Sequence, residues 1–240
     1  MREVQAALGL ERLWMLNDFE ALALSLPHLA PQQLRAQGPL PLRHGTLAVL
    51  GPGTGLGVGG LVLTPAGWQA VPGEGGHATL AAGNAFEDEI LRVVRAEFGH
   101  VSAERLLSGI GLPLLHRAIC AVQGEAAAER SAEEIGRLGA QGGDAACERT
   151  LATFCELLGA FAGNVALTLG ARSGVFIGGG VVPHFADFFF ASGFRRRFED
   201  KGRFRAYLQS VPTALIVEPH AALAGAAAAI ESRLAAGPAG

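Results

Sequence analysis

The chain has 240 residues, 50% of them hydrophobic, a formal net charge of -3 and three cysteines. It is long enough to bury a core without disulfide staples, and it lacks the basic face that nucleic-acid phosphates demand. Cys120, Cys147 and Cys155 are too few and too irregularly spaced for a zinc site and read as reduced thiols of a cytoplasmic protein. The apolar run at residues 157–171 is interrupted by Asn164 and closed by Arg172, too short for a bilayer span, and the polar start Met1-Arg2-Glu3-Val4-Gln5 is unlike a secretory signal. No membrane partner is expected.

In chain order, residues 2–10 predict an amphipathic helix with Val4, Ala7 and Leu8 on one side, ended at Gly9. Leu13-Trp14-Met15-Leu16 then reads as a buried strand whose carboxyl end presents Asn17 and Asp18, where open α/β sheets expose ligand-binding groups. Asp18 can serve there as a general base. Equally, Asn17 or Asp18 can cap the helix predicted over residues 19–26, and local pattern alone favours the cap. A strand so near the start has few upstream partners, so a further segment is expected before Met1. Pro27 and the Pro/Gln/Gly-rich stretch 31–41 predict a surface connection.

Residues 46–50 and 58–64 predict two strands joined by Gly51-Pro52-Gly53-Thr54-Gly55-Leu56-Gly57. Gly55, Gly57 and Gly60 fit G-x-G-x-x-G, but a strand follows instead of a helix, and no Lys-Ser/Thr pair closes the loop. Neither a dinucleotide fingerprint nor a Walker A loop survives. What remains is a hairpin whose amides at Gly53, Thr54 and Gly55, with the Thr54 hydroxyl, can approach a phosphate closely. A merely tight two-residue turn would not need four glycines in seven positions. Next, Pro72-Gly73-Glu74-Gly75-Gly76-His77 sets a carboxylate and an imidazole three apart among glycines, so Glu74 and His77 can face one ligand. Their accepting and exchanging groups suit sugar hydroxyls.

Helices are predicted over residues 86–98, from a Ser102 cap to 109, and over 112–122, 132–139 and 144–169. Glu104 sits in a first helical turn, which favours a carboxylate in any case, so local pattern leaves its role open. Residues 174–177 form a short buried strand leading into Gly178-Gly179-Gly180, a turn against which a flat base or ribose can lie. Arg195-Arg196-Arg197, followed by Glu199 and Asp200, reads as a solvated helix face. A last strand at 214–217 and a closing helix at 222–234 complete the chain.

These motifs resemble the bacterial glucokinase family, on the sugar-kinase branch of the hexokinase and actin-like fold, over nearly all of the chain. Asn17-Asp18-Phe19 matches the family's Asn-Asp-Phe, residues 51–57 its phosphate hairpin, 72–77 its Pro-Gly-Glu-Gly-Gly-His, 102–109 its Ser-Ala-Glu-Arg segment, and 178–180 its adenosine-side glycines; Phe198-Glu199-Asp200-Lys201-Gly202-Arg203-Phe204 is also similar. The cysteine-rich zinc motif of the related repressor/kinase group is absent from this sequence. The resemblance implies an α/β ribonuclease H-like two-domain fold, with residues 1–27 and 218–240 belonging to a small domain and 28–217 to a large one. It implies ATP-dependent phosphorylation of D-glucose to glucose 6-phosphate, with Asp18 as general base and Asn17, Glu74, His77 and Glu104 on the other hydroxyls. ATP would lie against Gly53, Thr54, Gly55, Gly178, Gly179 and Gly180, with Mg²⁺ at the phosphates and no protein metal ligands.

Two departures qualify the match. The family's first phosphate loop, Asp-x-Gly-Gly-Thr-like, has no counterpart in these 240 residues, and Glu218-Pro219-His220 stands where relatives carry an Asn-Pro-Gly-like turn. The first departure leads to the expectation of weak kinase activity, and of an apolar edge at residues 13–16 that drives aggregation or a homodimer. A sugar-binding regulator that keeps the pocket without the kinase step is the competing expectation; a nucleotide-dependent oxidoreductase rests only on the incidental glycine match.

Overall fold

The computed structural model describes residues 2–40 and 44–235. Six strands, β1 (Leu34–Ala36), β2 (Leu47–Pro52), β3 (Leu56–Thr64), β4 (Gly67–Gly73), β5 (Gly174–Ile177) and β6 (Thr213–Ile216), form one sheet in the order β1-β6-β5-β2-β3-β4. β2, β3 and β4 are an antiparallel meander, β5 and β6 run parallel to β2, and β1 closes the far edge antiparallel to β6. Every residue of β2 is buried, as a central strand covered on both faces requires, whereas β4 is largely exposed at its edge.

Alternation along β2 assigns the two faces. Ala48 and Leu50 join the larger core, and Leu47 and Val49 join the smaller one. The smaller face is covered near the ends of the chain: α1 (Arg2–Ala7) is followed by α2 (Asp18–Ser25), which lies on the sheet with Leu22 and Ala23 buried. The larger face carries α3 (Ala85–Phe98), α4 (Ala103–Leu106), α5 (Gly111–Gln123), α6 (Ala132–Gln141) and α7 (Ala145–Leu169). Asp144 caps α7 by accepting from the Cys147 N–H, and Gly170 ends it in the left-handed region at φ 65. At 25 residues α7 is long and apolar enough to cross a bilayer, but 72% of its most apolar window is buried, so here it is a core helix. The short helices α8 (Ala186–Ala191), α9 (Phe194–Glu199) and α10 (Arg205–Gln209) lead into β6, and α11 (Ala221–Ala235) packs back on α2.

Four expectations are corrected. Leu13-Trp14-Met15-Leu16 is not a buried strand: no described strand pairs with it, it stays irregular, and Met15 is 75% exposed. A short apolar run can only become a strand where a ladder partner takes up its backbone groups. α1 forms but ends at Ala7, before a turn through Leu8 and the left-handed Gly9, φ 63, and the apolar Val4 and Leu8 are exposed. The connection at 31–41 contains β1, held by the antiparallel register of Arg35 with Leu215; its last residue, Pro41, lies outside the described residues.

The fourth correction concerns the arginine run, which is mostly not solvated. Arg197 is 6% exposed and bonds Glu87, and Arg195 donates to the carbonyls of Val211, Leu208 and Gln209 as well as to Glu199. A planar guanidinium fork can serve several carbonyls at a helix end, so charge pattern alone misjudges it. Only Arg196, paired with Glu156, keeps an exposed side chain.

Candidate active site

The amino end of α2 is built by Asn17-Asp18-Phe19. Asn17 is the N-cap, its Oδ1 accepting from the N–H groups of Phe19 at 2.8 Å and Glu20 at 3.3 Å. Asp18 is the first helical residue, exposed at the positive end of the helix dipole, with Oδ1 accepting from the Phe19 N–H at 2.9 Å. Phe19 fixes this end of the helix to the sheet: its ring fills the space where a Cβ on Gly57 would stand. Nothing in the periodicity of residues 17–26 marks Phe19 for that part.

The two glycine turns meet at the carboxyl ends of β2 and β5, the edge of an α/β sheet where ligands bind. The Gly178 N–H donates to the Leu50 carbonyl at 2.9 Å and the Val181 N–H to the Pro52 carbonyl at 3.1 Å. A Cβ on Gly51 would lie 2.5 Å from the Gly178 carbonyl carbon, so the backbones touch because neither side carries a side chain.

Glu74 and His77 flank the turn after β4, and Glu104 lies in the first turn of α4, which Ser102 caps through the Arg105 N–H. His77 stands between the two carboxylates, Nε2 3.9 Å from Glu74 Oε2 and Nδ1 3.8 Å from Glu104 Oε1. Glu104 Oε2 accepts from the Leu56 N–H at 2.9 Å. A cavity of about 270 Å³ is lined by Asn17, Asp18, Gly53, Thr54, Gly55, Glu74 and Glu104, with His77 against both of its acidic walls.

A second cavity of about 460 Å³ is lined by Asp18, Gly178, Gly179, Gly180, His184 and Glu218. Asp18 is thus a wall common to the two spaces. The structure separates the predicted residues into two groups across it, the sugar-type residues with Gly53 to Gly55 on one side and Gly178 to Gly180 on the other. Glu218, in the turn where the sequence departs from the family pattern, is held below the usual carboxylate range by the Gln33 side chain and then by the His220 N–H. No sequence signal marked His184 or Glu218 as lining residues. A third space, about 820 Å³, runs from Gly180 and His184 to Gly136 and Arg137 of α6.

The sequence model of the glucokinase family matches residues 1–233. The chain belongs to the glucokinase family. A glucokinase of Chromobacterium violaceum is 54% identical over 230 residues, covering 95% of this chain and 66% of that relative. The crystal structure of a glucokinase from an Antarctic psychrotroph superposes with a TM-score of 0.88 at 36% identity, over 96% of this chain and 72% of that one. A ROK-family glucokinase from Streptomyces griseus, in complex with glucose and AMPPNP, shares the fold at a TM-score of 0.60 and 19% identity. The chain therefore spans about two thirds of the length of the relatives it matches, and its sheet and helices are those of the actin-like ATPase fold.

Proposed function

We propose that this chain carries out, in the cytoplasm, ATP-dependent phosphorylation of D-glucose to glucose 6-phosphate, with Asp18 as general base. The observation that carries the reading is the place of Asp18, an exposed carboxylate shared by a cavity lined with Glu74 and Glu104 and a cavity lined with Gly178 to Gly180. Glucose in the first space would have its hydroxyls held by Asn17, Glu74, His77 and Glu104. The 6-hydroxyl proton passes to Asp18 as that oxygen bonds to the γ-phosphorus; the bond to the β-phosphate oxygen breaks and ADP keeps its electron pair.

The amides of Thr54 and Gly55 are suited to the transferring phosphoryl group, with Gly53 shaping the turn by donating its own N–H to the Gly55 carbonyl at 2.8 Å, and Gly178 to Gly180 are suited to the nucleoside side of ATP. Among the described residues no group of three or more His, Cys, Asp or Glu could hold a metal ion. Mg²⁺ would come bound to the nucleotide phosphates, whose charge it would neutralise. The packing of α11 on α2 supports grouping the two ends of the chain, and α2 in turn packs on β2, β3 and β4, which joins that group to the sheet of residues 28–217.

The test is ADP release by the purified protein with ATP and Mg²⁺, followed with and without glucose, beside calorimetric titration of glucose into the wild type and Glu74→Ala. Glucose-dependent ADP release and glucose binding weakened by Glu74→Ala are expected. ADP release that ignores glucose, or glucose binding untouched by Glu74→Ala, overturns the reading.

A further inference from the structure

Glu104 does two things with its two oxygens. Oε1 faces the His77 imidazole at 3.8 Å inside the acidic cavity, while Oε2 accepts from the Leu56 N–H at 2.9 Å, at the base of the Gly51 to Gly57 hairpin. A Cβ on Gly55 would run into Oε2, so the hairpin backbone lies directly on this carboxylate. The segment that carries Glu104 is fastened to the hairpin a second time, because the Gly109 N–H donates to the Gly53 carbonyl at 2.8 Å. At its other end the segment is tied to the chain just after His77, through the Ala103 N–H and the Ala78 carbonyl at 2.8 Å.

We infer that Glu104 is a positioning residue for the phosphate hairpin, and that through it occupancy of the sugar cavity sets the geometry of the hairpin amides. This rests on the reading of the two cavities as sugar and nucleotide sites. An amide held by a carboxylate is a charge-assisted contact, stronger than a neutral one, and it bears on backbone that glycine leaves otherwise free to move. A sugar that takes up Oε1 draws on the same carboxyl plane that orients Oε2. Binding of sugar and nucleotide must then be linked, and linked equally in both directions.

Two variants separate this role from simple sugar contact. Glu104→Gln keeps an oxygen that can accept from the Leu56 N–H; Glu104→Ala removes it. The first measurement needs no ligand: backbone hydrogen exchange at Leu56, with the fold checked by circular dichroism. Slow exchange in the wild type, intermediate exchange in Glu104→Gln, whose neutral oxygen keeps a weaker bond, and exchange faster by about 10-fold or more in Glu104→Ala are expected. The second is AMPPNP affinity without glucose, expected to fall by about 10-fold in Glu104→Ala and by clearly less in Glu104→Gln. With glucose present, affinity for AMPPNP should change by about 5-fold or more in the wild type and by nothing in Glu104→Ala.

If Glu104 only holds sugar, AMPPNP affinity without glucose is the same in all three proteins, and the inference is overturned. Unchanged Leu56 exchange in Glu104→Ala overturns it as well. Should AMPPNP fail to bind any of the three, the nucleotide reading of the cavities falls and the proposed linkage falls with it, while the exchange result still decides whether Glu104 orders the hairpin.

Discussion

Arg197 and Glu87 form a buried ion pair beneath the loop that follows His77: Arg197 Nη2 donates to Glu87 Oε1 at 2.9 Å and to Oε2 at 2.7 Å, with the residues 6% and 1% exposed. Glu87 Oε2 also accepts from the Gly83 N–H at 2.6 Å, so the pair ties α9 and α3 to the segment leading away from the acidic cavity. Leaving either charge buried without the other costs about 3–5 kcal/mol. Arg197→Met is expected to lower the unfolding free energy by that amount in urea titration. Adding Glu87→Leu should recover only part of it, because the Gly83 amide then loses its acceptor. Full recovery in the double variant would show that the Gly83 contact contributes nothing.

Asp18→Asn should leave α2 in place, since the cap is supplied by Asn17 and not by Asp18. If Asp18 is the general base, turnover is expected to drop about 10²–10⁴-fold while glucose affinity changes little. A coupled ADP assay and calorimetry on the same preparation read the two quantities. Turnover close to wild type would leave Asp18 a structural part of the helix end.

Gly57→Ala places a methyl group inside the Phe19 ring. Overpacking of this kind costs about 1–3 kcal/mol and should tilt the amino end of α2, carrying Asp18 with it. Phe19→Ala in the Gly57→Ala background is expected to cost much less than Phe19→Ala alone. A double-mutant cycle in chemical denaturation measures that coupling, and additive effects would mean that the ring moves aside freely.

His116 supplies a pH dependence whose sign is fixed by its surroundings. It is 2% exposed between α5 and α7, with Nδ1 3.0 Å from Thr150 Oγ1 and Nε2 4.0 Å from Cys120 Sγ. The Thr150 hydroxyl donates to the Ala146 carbonyl, so it accepts from Nδ1–H, which leaves Nε2 as an acceptor. Burial is the main cause that lowers the His116 pKa from 6.5; Asp144 opposes the shift, and Arg130 and Arg149 add to it. Above about pH 6.5 the ring is neutral in both folded and unfolded chains. Below it the unfolded chain binds the extra proton first, so stability is lost as pH falls through 6.5 toward the lowered folded value. Denaturation midpoints between pH 8 and 5 should fall in the wild type and fall less in His116→Gln.

Much of the site was legible in the chain because its parts are local. The hairpin of Gly51 to Gly57, the glycine turn at 178–180, the Ser102 cap before Glu104 and the pairing of Glu74 with His77 each depend on neighbours a few residues away, and turn and cap chemistry is written at that range. The long helix expected over residues 144–169 forms as Ala145–Leu169, and the structure adds its Asp144 cap and closing Gly170. What required the tertiary structure was every contact between residues far apart in sequence. Leu13 to Leu16 had the composition of a strand, yet no described strand pairs with it. Arg197 had the pattern of a surface cation but is buried, because Glu87 lies 110 positions away. Phe19 against Gly57, and Glu104 against the Leu56 amide, are likewise decided by how α2 and α4 pack on the meander. Local pattern determines which elements form and where they stop; which side chain each one meets depends on packing, and no period or spacing in this sequence carries that information.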